Sequence, residues 1–235
     1  VQLMKLETDK ASTWKWTSAD TLFLKLLREA HKRGMKVIIE GVLNHCGTRF
    51  WAFRDVMKNQ QQSRYASWFD VKRWDDPSTS QNEFTYKGWG GANDLPEFWK
   101  GDSGFVKPVR DYFFNITRRW MDPNGDGDPS DGIDGWRLDA ANEISHVFWK
   151  GWRSLVKSIN PNAYIIGEIR DDASKWLKGD EFDAVMNYPY ARAVVRFFID
   201  TDSRRLTASE FDRELAKIRG SYPDQVNFAM MNLID

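Results

Sequence analysis

The stretch GDGDPSDGIDGWRLDAANE, residues 125–143, decides how this chain is read, because it sets Arg137 and Asp139 two residues apart inside a strand-like run. Side chains alternate along a strand, so GWRLDAA sends Arg137 and Asp139 to one face and Leu138 to the other. An unpaired charge on a covered face would be prohibitive, so the plainest reading is a mutually neutralising structural pair. Whether the pair does more depends on what surrounds it.

The flanks alternate between helical and strand patterns. Upstream, TSADTLFLKLLREAHKRG opens with Thr17 three residues before Asp20, a capping-box spacing, and places Phe23, Leu26, Leu27 and Ala30 on one helical stripe ending near Gly34. The apolar run MKVIIEGVL that follows has strand length and the β-branched content of a strand covered on both faces. Val109, Phe113, Ile116 and Trp120 lead at helical spacing into GIDGWRLDA. Ile144, Phe148, Trp152, Leu155 and Ile159 lead into AYIIGEI, with Asn160-Pro161 stopping that helix. FDAVMN and VNFAMMNLI read as two further strands, separated by a helix with a Thr207, Glu210 capping box and a Phe211, Leu215, Ile218 stripe. Five strands alternating with helices specify right-handed βαβ units and a parallel sheet, closed as a barrel or open and doubly wound; the barrel is preferred.

Composition restricts the chemistry. The 235 residues include 34 basic and 34 acidic side chains, so no net field favours nucleic acid or an anionic membrane. No apolar run approaches the roughly 20 residues of a membrane span, and VQLMKLETDK lacks a signal-peptide pattern. The single cysteine, Cys46, excludes an intrachain disulfide and a Cys-rich zinc site; localisation stays open. Twelve Trp, fifteen Phe and seven Tyr exceed what an ordinary core of this size requires. Many lie between Cys46 and about Asp102, an excursion far longer than a usual βα loop. In a barrel this loop follows a strand and so sits on the face where active sites are built. Most of its rings are expected to form a small aromatic core, with Tyr86 or Trp89 in the Gly-rich YKGWGG facing a substrate.

Further charges then join the first two. Glu168 ends the strand AYIIGEI at the height of Asp139, and His45 follows the first strand in EGVLNH. Charges at several C-terminal strand ends of one barrel point to catalysis rather than stability.

GWRLDAANEISHVFWKGWR resembles the fourth-strand region of the alpha-amylase superfamily, particularly its neopullulanase and cyclomaltodextrinase branch; GEIRDDASKWLKGDEFDAVMNYPY resembles the fifth, and KVIIEGVLNH the third. The resemblance implies an α/β protein, a partial (β/α)8 TIM barrel with an inserted domain B after the third strand. Residues 1–45 then belong to the barrel, including its third strand, 46–102 form domain B, and 103–235 carry the fourth to seventh strands. It implies Asp139 as nucleophile, Glu168 as general acid/base, Arg137 and His45 as contacts around the reacting sugar, and Asn142 and Glu143 as substrate contacts beside the nucleophile. The expected activity is retaining hydrolysis of α-1,4-glucosidic bonds in starch, pullulan, maltooligosaccharides or cyclodextrins. The alternatives are a transglycosylase or trehalose-forming relative and a non-catalytic glucan-binding homologue. Arg137 is expected to keep Asp139 ionised, and the charge of Asp139 to help Glu168 hold its proton.

The chain departs from the family pattern in three places. Glu40 stands where the third-strand motif begins with Asp, and Arg170 and Asp171 replace an aromatic and a His after GEI. The seventh-strand His-Asp motif with the third catalytic carboxylate is expected beyond Asp235, as two strands are expected before residue 1. Any homo-oligomer is expected to use segments outside this chain. Finally, Asp122, Asn124, Asp126 and Asp128 begin like a calcium loop, but Ile133 stands where the closing Glu belongs. Either a calcium site of another type or a hydrated Asp/Gly turn fits; Asn44 is a further calcium ligand by resemblance, or a structural hydrogen-bonder.

Overall fold

The computed structural model describes residues 8–232. Its centre is a four-stranded parallel sheet in the order β1 (Ile38–Gly41), β6 (Gly135–Leu138), β7 (Tyr164–Gly167), β8 (Ala184–Val185). The strands follow chain order across the sheet, with the strands of the excursion lying outside it, between β1 and β6 in the chain. α1 (Ser18–His31) precedes β1, α3 (Lys107–Met121) precedes β6, and α4 (His146–Ile159) joins β6 to β7. The register aligns Glu40 with Arg137 and Gly41 with Leu138, then Leu138 with Gly167. Among the described residues no helix is long and apolar enough to cross a membrane.

The helix signals operate as their chemistry requires. Thr17 accepts from the Asp20 N–H while Asp20 accepts from the Thr17 N–H, a full capping box, and Thr207 and Glu210 repeat it on α6 (Ala208–Gly220). On α3 the stripe buries Val109 and Phe113; on α4 it buries Phe148, Trp149, Trp152 and Val156. Trp136 and Leu138 on β6 are buried, whereas Arg137 between them keeps partial access to solvent. That alternation separates the core from the charged row.

Among the described residues, the run VNFAMMNLI is helical where a fifth strand is expected to begin. Residues Asp224–Ala229 are α7, and only Met231 pairs with the sheet, through a parallel bridge to Met186; residues 233 and 234 lie outside the described residues. Pro223 fixes φ at the helix start, its carbonyl accepts from the Val226 and Asn227 N–H groups, and Asp224 sits favourably in the first turn. These local terms outweigh the apolar run. Phe228, on the outer side of α7, is 91% exposed.

The excursion after β1 contains α2 (Trp51–Asn59), the antiparallel pair β2 (Val71–Arg73) and β3 (Thr85–Tyr86), and the hairpin β4 (Lys100–Gly101) and β5 (Gly104–Phe105). Trp68, Phe69, Phe53 and Phe98 are buried within it. This is not a separate core. Tyr112 of α3 meets Trp51 and Trp68 at centroid distances of 5.8 and 5.6 Å, and Phe98 meets Phe113 at 5.2 Å. The rings run continuously into the residues packed against the sheet.

Candidate active site

The parallel ladder extends one residue past β6 and β7. Asp139 N–H donates to the Gly41 carbonyl at 3.1 Å, and Glu168 N–H to the Leu138 carbonyl at 2.8 Å. Both carboxylate-bearing backbones are therefore fixed at the C-terminal edge of the sheet, on adjacent strands. Gly167 helps to seat Glu168: a Cβ there would lie 2.7 Å from the Phe182 ring, so only glycine lets the strand approach this closely. Ala140, directly after Asp139, has φ 45° and ψ 41°. A left-handed backbone costs a residue with a Cβ, and here it turns the Ala140 N–H onto Glu168 Oε2 at 3.3 Å.

Arg137 joins the carboxylates. Its Nη1 donates to Asp139 Oδ1 at 2.9 Å and to Glu40, and its Nη2 is 3.0 Å from Glu168 Oε2. Nε reaches Met186 Sδ at 3.3 Å. The longer Glu40 side chain thus spans from β1 to the guanidinium it faces in register. The other oxygen of Glu168, Oε1, accepts from the Tyr188 hydroxyl at 2.9 Å and lies 3.7 Å from Arg170 Nη2.

These contacts reverse one expectation. Burial alone pushes the Glu168 carboxyl up, but the Tyr188 hydroxyl, the Ala140 N–H, the Arg137 charge and the Asp139 carboxyl together hold it below the usual range. In the free protein the Asp139 carboxyl acts in the same downward direction as the donors and the guanidinium, which together outweigh burial, so it does not help Glu168 hold its proton. Burial holds the His45 imidazole below its ordinary value, against the upward pull of Asp139 and Glu97. Its imidazole stacks on Trp89 at 4.7 Å and 9°.

A cleft of about 320 Å³ opens beside Glu168, lined by Trp89, Asn142, Glu143, Arg170 and Trp176 among others. Of the proposed substrate contacts, Trp89, Asn142 and Glu143 face it. Asp139, Arg137 and His45 do not line it, and Glu168 shares its wall with the carboxylates of Glu143, Asp171 and Asp172. Tyr86 is elsewhere: its ring packs on Phe53 and Phe84, and its hydroxyl donates to the Asn93 carbonyl, so it belongs to the aromatic core of the excursion. Sequence reasoning misses Tyr188 and Trp176. The available signal for Tyr188 is its place just after the strand FDAVMN, the same kind of position that marks Glu168.

The acidic turn is occupied by its own backbone. Asp122 accepts from Gly125 and Gly127 N–H, Asp126 from Asp128 N–H and the Asn124 amide, and Asp128 from Ser130 N–H. Among the described residues no three His, Cys, Asp or Glu side chains converge as a metal centre. Asn44 is fully buried with Oδ1 unpartnered, its amide facing His45 Nδ1 at 3.4 Å, but no carboxylate cluster accompanies it.

The fold is thus a parallel α/β sheet that carries a guanidinium-bridged carboxylate pair at the C-terminal ends of adjacent strands. Residues 17–234 match the model of the alpha-amylase catalytic domain, and the chain belongs to that family. It is 43% identical over 213 residues to Neopullulanase 2 of Thermoactinomyces vulgaris, covering 91% of this chain and 34% of that protein. It is 40% identical to a cyclomaltodextrinase of Geobacillus thermopakistaniensis, covering 89% of this chain and 33% of that protein. Among solved structures, cyclic alpha-maltosyl-(1→6)-maltose hydrolase from Arthrobacter globiformis, in complex with its cyclic substrate, superposes with a TM-score of 0.79 at 31% identity, over 92% of this chain and 45% of that one. The debranching enzyme of Nostoc punctiforme gives 0.77 at 33%, again over 92% and 45%. The chain spans about a third of the length of these curated relatives.

Proposed function

We propose that this chain carries the nucleophile and the general acid/base of a retaining glycoside hydrolase acting on α-1,4-glucosidic bonds of starch, pullulan, maltooligosaccharides or cyclodextrins. The observation that carries the reading is the Arg137 bridge between Asp139 and Glu168 at matched positions on neighbouring strands. Parallel strands lie about 4.8 Å apart, close to the roughly 5–5.5 Å between carboxyls that retention uses and well short of the 6.5–9.5 Å of inversion. The four strands are read as an arc of a (β/α)8 barrel, and residues 46–102 as domain B, whose Trp89 walls the cleft. Relatives named for cyclomaltodextrin and for cyclic alpha-maltosyl-(1→6)-maltose support the choice of an α-glucan.

In this reading Asp139 attacks the anomeric carbon while Glu168 gives its proton to the departing glycosidic oxygen. The C–O bond breaks and a glycosyl ester forms on Asp139. Water then loses a proton to Glu168 and displaces Asp139, restoring the original configuration. Arg137 places a fixed positive charge 2.9 Å from Asp139 Oδ1, where the attacking carboxylate is needed. Burial is the largest single influence on Glu168 and acts upward, so a sugar ring that excludes water moves Glu168 toward the protonated form required of an acid. His45 can donate to a sugar hydroxyl.

The test uses Asp139→Asn and Glu168→Gln in the protein as naturally encoded. Each should lose several orders of magnitude in maltooligosaccharide turnover while oligosaccharide binding, measured by calorimetry, persists. Near-parental turnover in either variant would refute the assignment. Products longer than the substrate would identify transfer to a sugar acceptor, which uses the same intermediate.

A further inference from the structure

Tyr188 has no part in the chemistry above, yet its hydroxyl donates a 2.9 Å hydrogen bond to the Glu168 carboxylate, shorter than the 3.3 Å bond from the Ala140 N–H. It is the first residue of α5 (Tyr188–Phe198) and follows β8 closely. Its backbone is pinned: Tyr188 N–H donates to the Met186 carbonyl at 2.9 Å. The preceding Asn187 is buried; its N–H donates to the Met231 carbonyl and its side chain to Asn232 Oδ1 at 2.9 Å. Arg170 lies 5.9 Å from the centroid of the Tyr188 ring, and Arg192 of the same helix holds the Arg170 carbonyl at 3.0 Å. The phenol is thus delivered to Oε1 by elements independent of those that deliver Arg137 and the Ala140 N–H to Oε2.

We propose that Tyr188 is a positioning residue for Glu168, its hydroxyl holding the carboxylate in one rotamer against the cleft through both proton transfers. This rests on the reading of Glu168 as the acid/base. Burial, followed by the bond to Glu168, pushes the Tyr188 phenol above its ordinary value, so it remains a donor throughout the working range. A donor stabilises the ionised carboxylate and so opposes the proton that Glu168 must carry into the first step, while favouring the anion left when that proton passes to the leaving oxygen. The proton of Tyr188 itself is not transferred. The other charged groups facing Glu168 are Arg137 from β6, Asp139 just beyond it, and Arg170 after β7; Glu40 of β1 and His45 act at one remove, through Arg137 and Asp139.

The experiment compares the parent, Tyr188→Phe and Glu168→Gln in the protein as naturally encoded, measuring kcat and KM for maltotriose across pH. With the donor gone, Glu168 keeps its proton to higher pH, so the alkaline limb of kcat/KM moves upward. Loss of the fixed rotamer lowers kcat about ten- to a hundredfold with KM little changed. A packing role alone would leave the limb where it is, because phenylalanine keeps the ring beneath Arg170. An unmoved limb, or an unchanged kcat, overturns the proposal. If Glu168→Gln itself turns over normally, the acid/base reading fails instead, and the two failures are distinct. An NMR titration of the Glu168 carboxyl in the unliganded protein reads the same hydrogen bond without turnover: its midpoint rises in Tyr188→Phe, and an unmoved midpoint refutes the proposal.

Discussion

Replacing Arg137 by Met removes one guanidinium from three carboxylates, and the structure fixes how much that should cost. The Arg137 side chain is 19% exposed, Asp139 17% and Glu168 10%, whereas Glu40 is 56% exposed. The Glu40 pair is therefore counted near zero, as exposed ion pairs are. The other two are charge-assisted bonds of ordinary length in a partly enclosed site, each worth about 1.5–3 kcal/mol. Their loss leaves two carboxylates facing each other, so the expected destabilisation is about 3–5 kcal/mol near neutral pH, within the range for breaking a buried pair. The sign with pH follows from Glu168. Its folded-state pKa lies below the ordinary 4.5, so its contribution is complete above the unfolded value and is lost as pH falls through the folded one. The difference between Arg137→Met and parent should therefore shrink on acidification through the carboxylate range. Urea unfolding of both proteins at neutral and acidic pH, followed by circular dichroism, measures it. A loss below about 1 kcal/mol at neutral pH, or one equally large in acid, would refute the account of Arg137 as the electrostatic keystone of the pair.

Two further outcomes test the walls of the site. Trp89→Ala should expose the face of His45 that now stacks at 4.7 Å; since burial is what lowers that imidazole, its NMR titration should move up toward the ordinary value, with a stability loss of about 0.5–1.5 kcal/mol. Gly167→Ala drives a methyl to 2.7 Å from the Phe182 ring; it should destabilise by about 1–3 kcal/mol and reduce turnover further by shifting Glu168, as thermal unfolding and kinetics together would reveal.

Much of this is legible in sequence for identifiable reasons. The Thr17 and Thr207 caps depend on contacts within four residues, and the stripes of α3 and α4 on simple periodicity, so local patterns suffice. The charged row is legible because strand alternation dictates where Arg137 and Asp139 point. What escapes depends on competition or on long-range geometry. In VNFAMMNLI the apolar content signals a strand, yet Pro223 and Asp224 initiate a helix, and a short run lets the terminal signals decide. The depressed Glu168 carboxyl depends on a phenol 20 residues away and on a backbone N–H turned by a left-handed alanine, neither of which any spacing reveals. The acidic turn shows why spacing leaves two readings open, since aspartates spaced like cation ligands also serve as acceptors for the amides of their own loop.

The continuity of the aromatic packing between residues 46–102 and the sheet has an evolutionary consequence. Because Trp51 and Trp68 lean on Tyr112, and Phe98 on Phe113, the excursion is not a cassette that can be exchanged while its host stays intact. A chimera that imported another loop at these boundaries would also have to import the matching face of α3. The footing of the excursion is tied to α3 through these ring contacts, so a change in one requires a matching change in the other.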